Sequence, residues 1–218
     1  NNELVLNFAF KIDFYIMMEV SQKRAGISNY FNSDKQFNQL YPEPIRLLAA
    51  RHWTPLSIAR KASFFLAAEN GMRILDIGSG VGKFCLGAAY HSPKAHFYGI
   101  EQRKDLVTHA QAAAATLGLQ NISFINGNFT QIDLRDYDHV YFYNAFYENL
   151  AGTDKIDECI AYSGELYNYY NRYLFKQLEQ MPAGTRLATF YSLEDEVPPD
   201  YHVVGSDMDN LLKFWIKI

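Results

Sequence analysis

The chain has 218 residues, 49% of them hydrophobic and 20% charged, which suits one domain with a substantial core and excludes a disordered chain. Its formal net charge of −4 argues against non-specific association with nucleic acid, which depends on neutralising phosphates, so nucleic acid is not an expected partner. No apolar run is long enough to span a bilayer and no secretory leader is evident, so a cytoplasmic location without membrane contact is expected.

Residues 1–39 read as an added N-terminal region. Within 8–20, Phe10, Phe14, Met17 and Met18 recur at helical spacing. Asn1 in place of a methionine fits a processed or trimmed chain. Residues 29–38 are polar and read as a loop, and Pro42 and Pro44 punctuate the entry to a short helix through Arg51. Thr54 is the expected N-cap of the next helix, with Pro55 at its first position, and Asn70-Gly71 ends that helix near Glu69. The expected division is an N-terminal helical extension over 1–53 and a domain over 54–218. The basic residues Lys23, Arg24, Arg46, Arg51, Arg60 and Lys61 read as a solvated helix face.

The most informative stretch follows. Ile74, Leu75 and Ile77 form the apolar run of a strand covered on both faces, and Asp76 places a carboxylate near its end. Gly78, Gly80 and Gly82 then make a bare turn before a helix over 81–91 that stops at Ser92-Pro93. The turn is one residue too short for a phosphate-binding P-loop, and Phe84 stands where a hydroxyl should bind magnesium. For the dinucleotide fingerprint the third glycine falls one residue early. In an open α/β sheet the ligand crevice lies outside the strand carboxyl ends. A second strand, His96–Glu101, ends in a carboxylate that can accept a ribose diol.

An alanine-rich helix over 103–117 ends at Gly118, and a third strand begins at Ile122 and leads into the turn Asn126-Gly127-Asn128-Phe129. The fourth strand ends at Asn144, followed by Ala145, Phe146 and Tyr147. Asn144 reads equally as a cap for a following helix. Residues 154–180 read as one long helical region with Tyr162, Leu166, Tyr169, Tyr170 and Tyr173 in a buried stripe. A fifth strand over 186–191, an acidic loop over 194–200 and two closing strands complete the chain. Cys85 and Cys159 lack metal-ligand spacing, Cys85 reads as a small core residue, and the scattered histidines support no metal site.

The order Asp76-x-Gly78-x-Gly80-x-Gly82 and then Glu101 resembles the seven-strand, class I S-adenosylmethionine-dependent methyltransferases. Asp76-Ile77-Gly78-Ser79-Gly80-Val81-Gly82, Tyr98-Gly99-Ile100-Glu101 and Asn144-Ala145-Phe146 look most like the non-SET lysine methyltransferases of the disruptor-of-telomeric-silencing type. The resemblance covers about 76–146. It implies an α/β fold, a Rossmann-like seven-strand sheet with helices on both faces, and S-adenosyl-L-methionine as cofactor. The cofactor residues it implies are Asp76, Gly78, Ser79, Gly80, Gly82, Glu101, Gln102, Asn128, Phe129 and Asn144. Asp76 would lie near the methionine end, Glu101 at the ribose, and Asn128 and Phe129 at the adenine. Asn144, Tyr143 and Tyr147 would form the catalytic wall, and Glu148 reads as an exposed helix-start residue. Tyr41, Trp53 and Thr54 are lid candidates, with plain packing the favoured reading. The implied activity is methyl transfer to a nitrogen of a protein side chain. A small-molecule N- or O-methyltransferase and a non-catalytic binding domain are the alternatives, and the methyl acceptor, protein or small molecule, is unknown.

Overall fold

The apolar runs over 74–77, 140–142 and 187–190 are buried on both faces and form the centre of a sheet, whereas Val203 and Val204 near its edge are exposed. The computed structural model describes residues 26–192 and 196–218. The aromatic stretch 8–20 and the acidic pair Glu194 and Asp195 lie outside the described residues. Among the described residues, β1 (Arg73–Ile77), β2 (His96–Glu101), β3 (Ile122–Asn126), β4 (His139–Tyr143), β5 (Arg186–Phe190), β6 (Tyr201–Asp207) and β7 (Leu212–Lys217) form one sheet in the order 3-2-1-4-5-7-6. The first five strands are parallel, and β7 inserts antiparallel between β5 and β6. This is the Rossmann-like seven-strand fold expected from the motif order. The strand order reverses between β1 and β4, which opens a crevice at their carboxyl ends.

Alternation along the strands sorts side chains to two faces. Leu75, Ile77, Val140, Phe142 and Leu187 pack with Leu174 and Leu178 of α7, the helix Gly164–Glu179. The other face carries Ile74, Phe97, Tyr141 and Ala188 against Ile58, Ala62, Phe84, Cys85 and Ala88. Those residues come from α4 (Leu56–Leu66) and α5 (Lys83–His91). Each fully buried Leu, Ile, Val or Phe side chain among them contributes about 1.5–3 kcal/mol. The described residues before α4 include the short helices α1 (Asp34–Asn38), α2 (Glu43–Arg46) and α3 (Ala49–His52). Phe37, Tyr41 and Trp53 from this region join Val81 and Leu86 with Leu106, Ala113 and Leu117 of α6 (Lys104–Leu117) in a third cluster. Gly118 closes α6 at φ 63°, the left-handed C-cap that glycine accepts without strain.

Four expectations need correction. Residues 29–38 are not a loop: they hold a helical turn at Asn29–Phe31 and α1, which Ser33 Oγ caps by accepting the Gln36 N–H. Thr54 does not cap α4. Its hydroxyl is buried 3.1 Å from the Tyr141 hydroxyl, and the Leu56 N–H donates instead to Asp34 Oδ1 at 3.0 Å. The helical region expected over 154–180 forms only from Gly164, where Ser163 Oγ accepts the Leu166 N–H as an N-cap. The tyrosine stripe is correspondingly narrower. Tyr170 is buried, Tyr169 is half exposed, and Tyr162 lies in the loop before the helix.

Candidate active site

The glycine turn leaves β1 at the point where the strand order reverses. The Gly78 and Ser79 N–H groups both donate to the Ile100 carbonyl at 3.0 Å, which folds the turn back over β2. Gly78 sits at φ 73°, and a Cβ there would lie 2.4 Å from the Ala145 Cβ, so only glycine lets the turn touch the segment after β4. Gly80, at φ 53°, faces open space. Its N–H donates to Glu101 Oε2 at 3.1 Å, and Glu101 Oε1 accepts the Arg103 N–H at 2.9 Å. Burial pushes the Glu101 carboxyl up, while Arg103 and the two backbone donors hold it back. Each carboxylate oxygen keeps acceptor capacity for a ligand hydroxyl.

Above this turn lies a cavity of about 540 Å³, within the size range of small-molecule sites. Its walls include Gly78, Gly80, Glu101, Gln102, Phe129, Tyr143, Asn144 and Tyr147, eight of the expected site residues. Trp53 joins them, whereas Tyr41 and Thr54 pack inward, as the packing reading has it. Tyr41 donates its hydroxyl proton to the Val81 carbonyl at 2.9 Å. Asn144 holds φ 39°, a rare conformation for a residue with a side chain. No helix follows for it to cap, since the short turn Tyr147–Asn149 takes Phe146 as its N-cap. The half-exposed Tyr191, at φ 57° after β5, lines the same end.

The remaining expected residues sit behind the wall. Asp76 is buried 3.5 Å from the Cys85 thiol, and burial without a cationic partner pushes its carboxyl up to about 8. Gly82, at φ 79°, begins α5 and approaches the Phe124 ring instead of the cavity. Asn128 is a cap: its Oδ1 accepts the Thr130 N–H and hydroxyl, both at 3.0 Å, and its Nδ2 donates to the Tyr170 hydroxyl at 2.9 Å. The wall contribution of this turn comes from Gly127 and from Phe129, whose ring stacks on Phe146 at 5.0 Å. Glu148 is not the exposed residue expected. Its Oε2 accepts from Arg103 Nη2 at 2.6 Å and from the Ile156 N–H at 3.0 Å.

Sequence reasoning passed over Arg103 and His52. Arg103 is buried against Glu101, Glu148 and Asp157, and no local pattern marks it because two of these partners lie 45 and 54 positions away. His52 ends α3 and lines the cavity, and burial lowers its pKa, favouring the neutral imidazole. The signal available for it was its place beside Trp53, just ahead of the first strand's helix. Among the described residues no cluster of His, Cys, Asp or Glu is suited to a metal ion, and no helix is long and apolar enough to cross a membrane.

The site fits an adenosyl ligand. Gly80 faces open space where a ligand can touch the backbone, and the Glu101 carboxylate is aimed along the same turn, whereas Ser79 packs its hydroxyl against Gly99. Residues 68–172 match the family described as "Methyltransferase domain". A tRNA (guanine-N(7)-)-methyltransferase of Synechococcus sp. (strain JA-3-3Ab) is 46% identical over 54 residues, which are 25% of this chain and 23% of that protein. The protein of the same description from Microcystis aeruginosa (strain NIES-843 / IAM M-2473) is 46% identical over 54 residues, 25% of this chain and 26% of its own. The chain thus spans about a quarter of the length of these relatives. Two solved structures share the fold. TrmN from Thermus thermophilus has a TM-score of 0.53 at 21% identity, over 80% of this chain and 52% of that one. Precorrin-6y C5,15-methyltransferase from Geobacter metallireducens GS-15 has a TM-score of 0.51 at 12% identity, over 77% and 90%. Residues 68–172, just under half of the chain, thus match a methyltransferase domain, and the sheet order and the glycine turn with its paired carboxylate agree with the class I, S-adenosylmethionine-dependent kind.

Proposed function

We propose that the chain transfers the methyl group of S-adenosylmethionine to a nitrogen acceptor held at Asn144. The observation that carries this reading is the position of Asn144 in the cavity wall, at positive φ, pressed against the glycine turn through Ala145. When bound, the cofactor supplies a methyl group already activated on a sulfonium. The protein's task is therefore to bind, to orient and to exclude water.

Glu101 would accept the ribose hydroxyls, and the Gly78–Gly80 backbone would lie against the cofactor with Phe129 beside the base. The Asn144 amide oxygen and nearby backbone carbonyls would accept hydrogen bonds from an amine and point its lone pair inward. Tyr143 and Tyr147 would flank it, with Trp53 excluding water on the far side. A protonated amine carries no free lone pair, so the acceptor must react in its neutral form. His52, itself held neutral, is the wall residue suited to take the released proton near neutral pH.

A protein side chain as acceptor rests on the likeness of Asn144-Ala145-Phe146 to the lysine-methyltransferase turn. A nucleobase nitrogen is the second reading, and the 46% identity to tRNA methyltransferases favours it despite the chain's net negative charge. Incubation of the chain with methyl-labelled cofactor and a cell lysate, followed by separate protease and ribonuclease digestion, distinguishes the two. Label released by protease supports the first, and label released by ribonuclease supports the second. Loss of either signal in Asn144→Ala, with S-adenosylhomocysteine binding intact, is expected. Undiminished transfer in that variant would sink the assignment of Asn144.

A further inference from the structure

Residues 150–163 form no helix or strand, yet they wall one side of the cavity through Ile156 and Tyr162. Without a backbone ladder, their conformation depends on side-chain bonds; Asp154 pairs with Arg51 and Thr153 Oγ1 donates to the Leu150 carbonyl, while several of the others converge on one cation. Arg103 Nη2 donates to Glu148 Oε2 and to the Tyr162 hydroxyl, both at 2.6 Å. Its Nε donates to Asp157 Oδ1 at 3.2 Å. Its Nη1 lies 3.6 Å from Glu101 Oε1, the same oxygen that accepts the Arg103 N–H. The Tyr162 hydroxyl lies 2.7 Å from the Asp157 carbonyl oxygen, and Lys155 Nζ donates to the Glu148 carbonyl at 3.1 Å while standing 4.5 Å from the Tyr162 ring centre. Asp157 Oδ1 also accepts the Cys159 N–H at 2.9 Å.

We propose that Arg103 is a positioning residue that clasps segment 144–162 to the Glu101 carboxylate, so that the cofactor and acceptor halves of the cavity assemble together. A guanidinium suits this task because it presents five donors in a rigid plane and stays charged, whereas an ammonium offers no fork. Its side chain is 6% exposed, so water competes little for these donors. A ligand whose hydroxyls bond Glu101 fixes the carboxylate that Arg103 leans on and, through the guanidinium, the segment beyond it. By linkage, ordering that segment strengthens binding at Glu101.

The inference rests on the reading of Glu101 as the ribose acceptor. The test combines calorimetry with S-adenosylhomocysteine and hydrogen exchange on the full chain, in wild type, Arg103→Met and Arg103→Lys. In wild type the ligand slows exchange of amides 147–162 by tenfold or more. Arg103→Met binds the ligand at least tenfold more weakly, and at saturation its 147–162 amides still exchange as in the free protein, while β1 and β4 keep wild-type protection. Arg103→Lys falls between the two. A role in stability alone would instead lower protection evenly across the sheet, and that result overturns the proposal, as does ligand-induced protection of 147–162 in Arg103→Met. Should Arg103→Met fail to fold, Tyr162→Phe and Asp157→Asn approach the clasp from its far side. Each is expected to weaken binding severalfold, and unchanged affinity in both overturns the clasp. A wild-type chain giving no heat with S-adenosylhomocysteine overturns the cofactor reading and the proposal with it. Wild-type heat with no dependence on Arg103 overturns the proposal alone.

Discussion

Asp76 stands one strand position from the glycine turn, buried with only a thiol for company. Its carboxyl is pushed up to about 8, far above the value an unfolded chain gives it. The native state therefore binds a proton that the unfolded state has released, and stability falls as pH rises between about 4 and about 8. Asp76→Asn removes the ionisable group and with it this slope. The variant is expected to gain stability relative to wild type on going from pH 5.5 to pH 8, by at most about 1.4 kcal/mol per pH unit. Urea titrations at the two pH values measure it, and a constant difference between the proteins would show Asp76 to be ionised throughout. Asn144 poses a different residue-scale problem. A side chain at φ 39° costs on the order of 1 kcal/mol, which glycine would not incur. Asn144→Gly is expected to fold with equal or slightly higher stability and to keep S-adenosylhomocysteine affinity, yet to lose transfer by about a hundredfold or more through loss of the orienting amide. Calorimetry and label incorporation on the same preparation separate these effects. Both residues were legible as candidates because each stands beside a strand end, but neither the burial of Asp76 nor the backbone of Asn144 can be read from residue order.

At the scale of elements, the start of α4 shows what periodicity misses. Thr54-Pro55 carries the usual marks of a helix start, yet the acceptor for the Leu56 N–H is Asp34, 22 residues earlier. The same Asp34 oxygen lies 2.6 Å from Lys83 Nζ, whose side chain is 4% exposed and stands 5.6 Å from the ring centres of both Phe37 and Trp53. Burial lowers the lysine's pKa and Asp34 partly restores it. A cation in the first turn of α5 opposes the helix dipole, so the aspartate also offsets that cost. One carboxylate thus joins α1, α4 and α5 behind the cavity. Asp34→Ala removes both partners and is expected to cost about 2 kcal/mol. Asp34→Asn keeps an acceptor for Leu56 and should cost roughly half as much. Chemical denaturation checks the order, and equal losses in the two variants would assign the whole effect to Lys83. The strands β1 to β5 and the helix α6 were legible because apolar runs, glycine stops and strand lengths are local signals. The late start of α7 was marked too, by Ser163 followed by Gly164 and Glu165, but the tyrosines upstream imitate helical spacing. Arg103 holds those upstream residues in another conformation, and a contact across 54 or 59 positions leaves no trace in a sliding window.

For the molecule as a whole, parallel strands on either side of a reversal in strand order leave a crevice where turns from several strands meet, and the described residues place Gly78, Glu101, Gly127, Asn144 and Tyr191 around it. The alternation of strands and helices and the two closing strands pointed to this topology in advance. The insertion of β7 between β5 and β6 could not be read locally, since pairing order depends on contacts between distant segments. Because those turns all bound the same space, a ligand there ties together elements from Trp53 to Tyr191, and its binding energy is transmitted to the stability of the fold. At S-adenosylhomocysteine concentrations a hundredfold above Kd, mass action adds about 2.7 kcal/mol. For a chain of this size that raises Tm by about 5–10 °C. Glu101→Ala removes the proposed ribose acceptor and should abolish most of the rise at the same ligand concentration. Tyr147→Ala, at the acceptor end, should leave the rise intact while reducing methyl transfer. Thermal scans of the three proteins with and without ligand provide the measurement. If Glu101→Ala kept the full rise, the ligand would be held without that carboxylate and the cavity's two ends would have been assigned to the wrong partners.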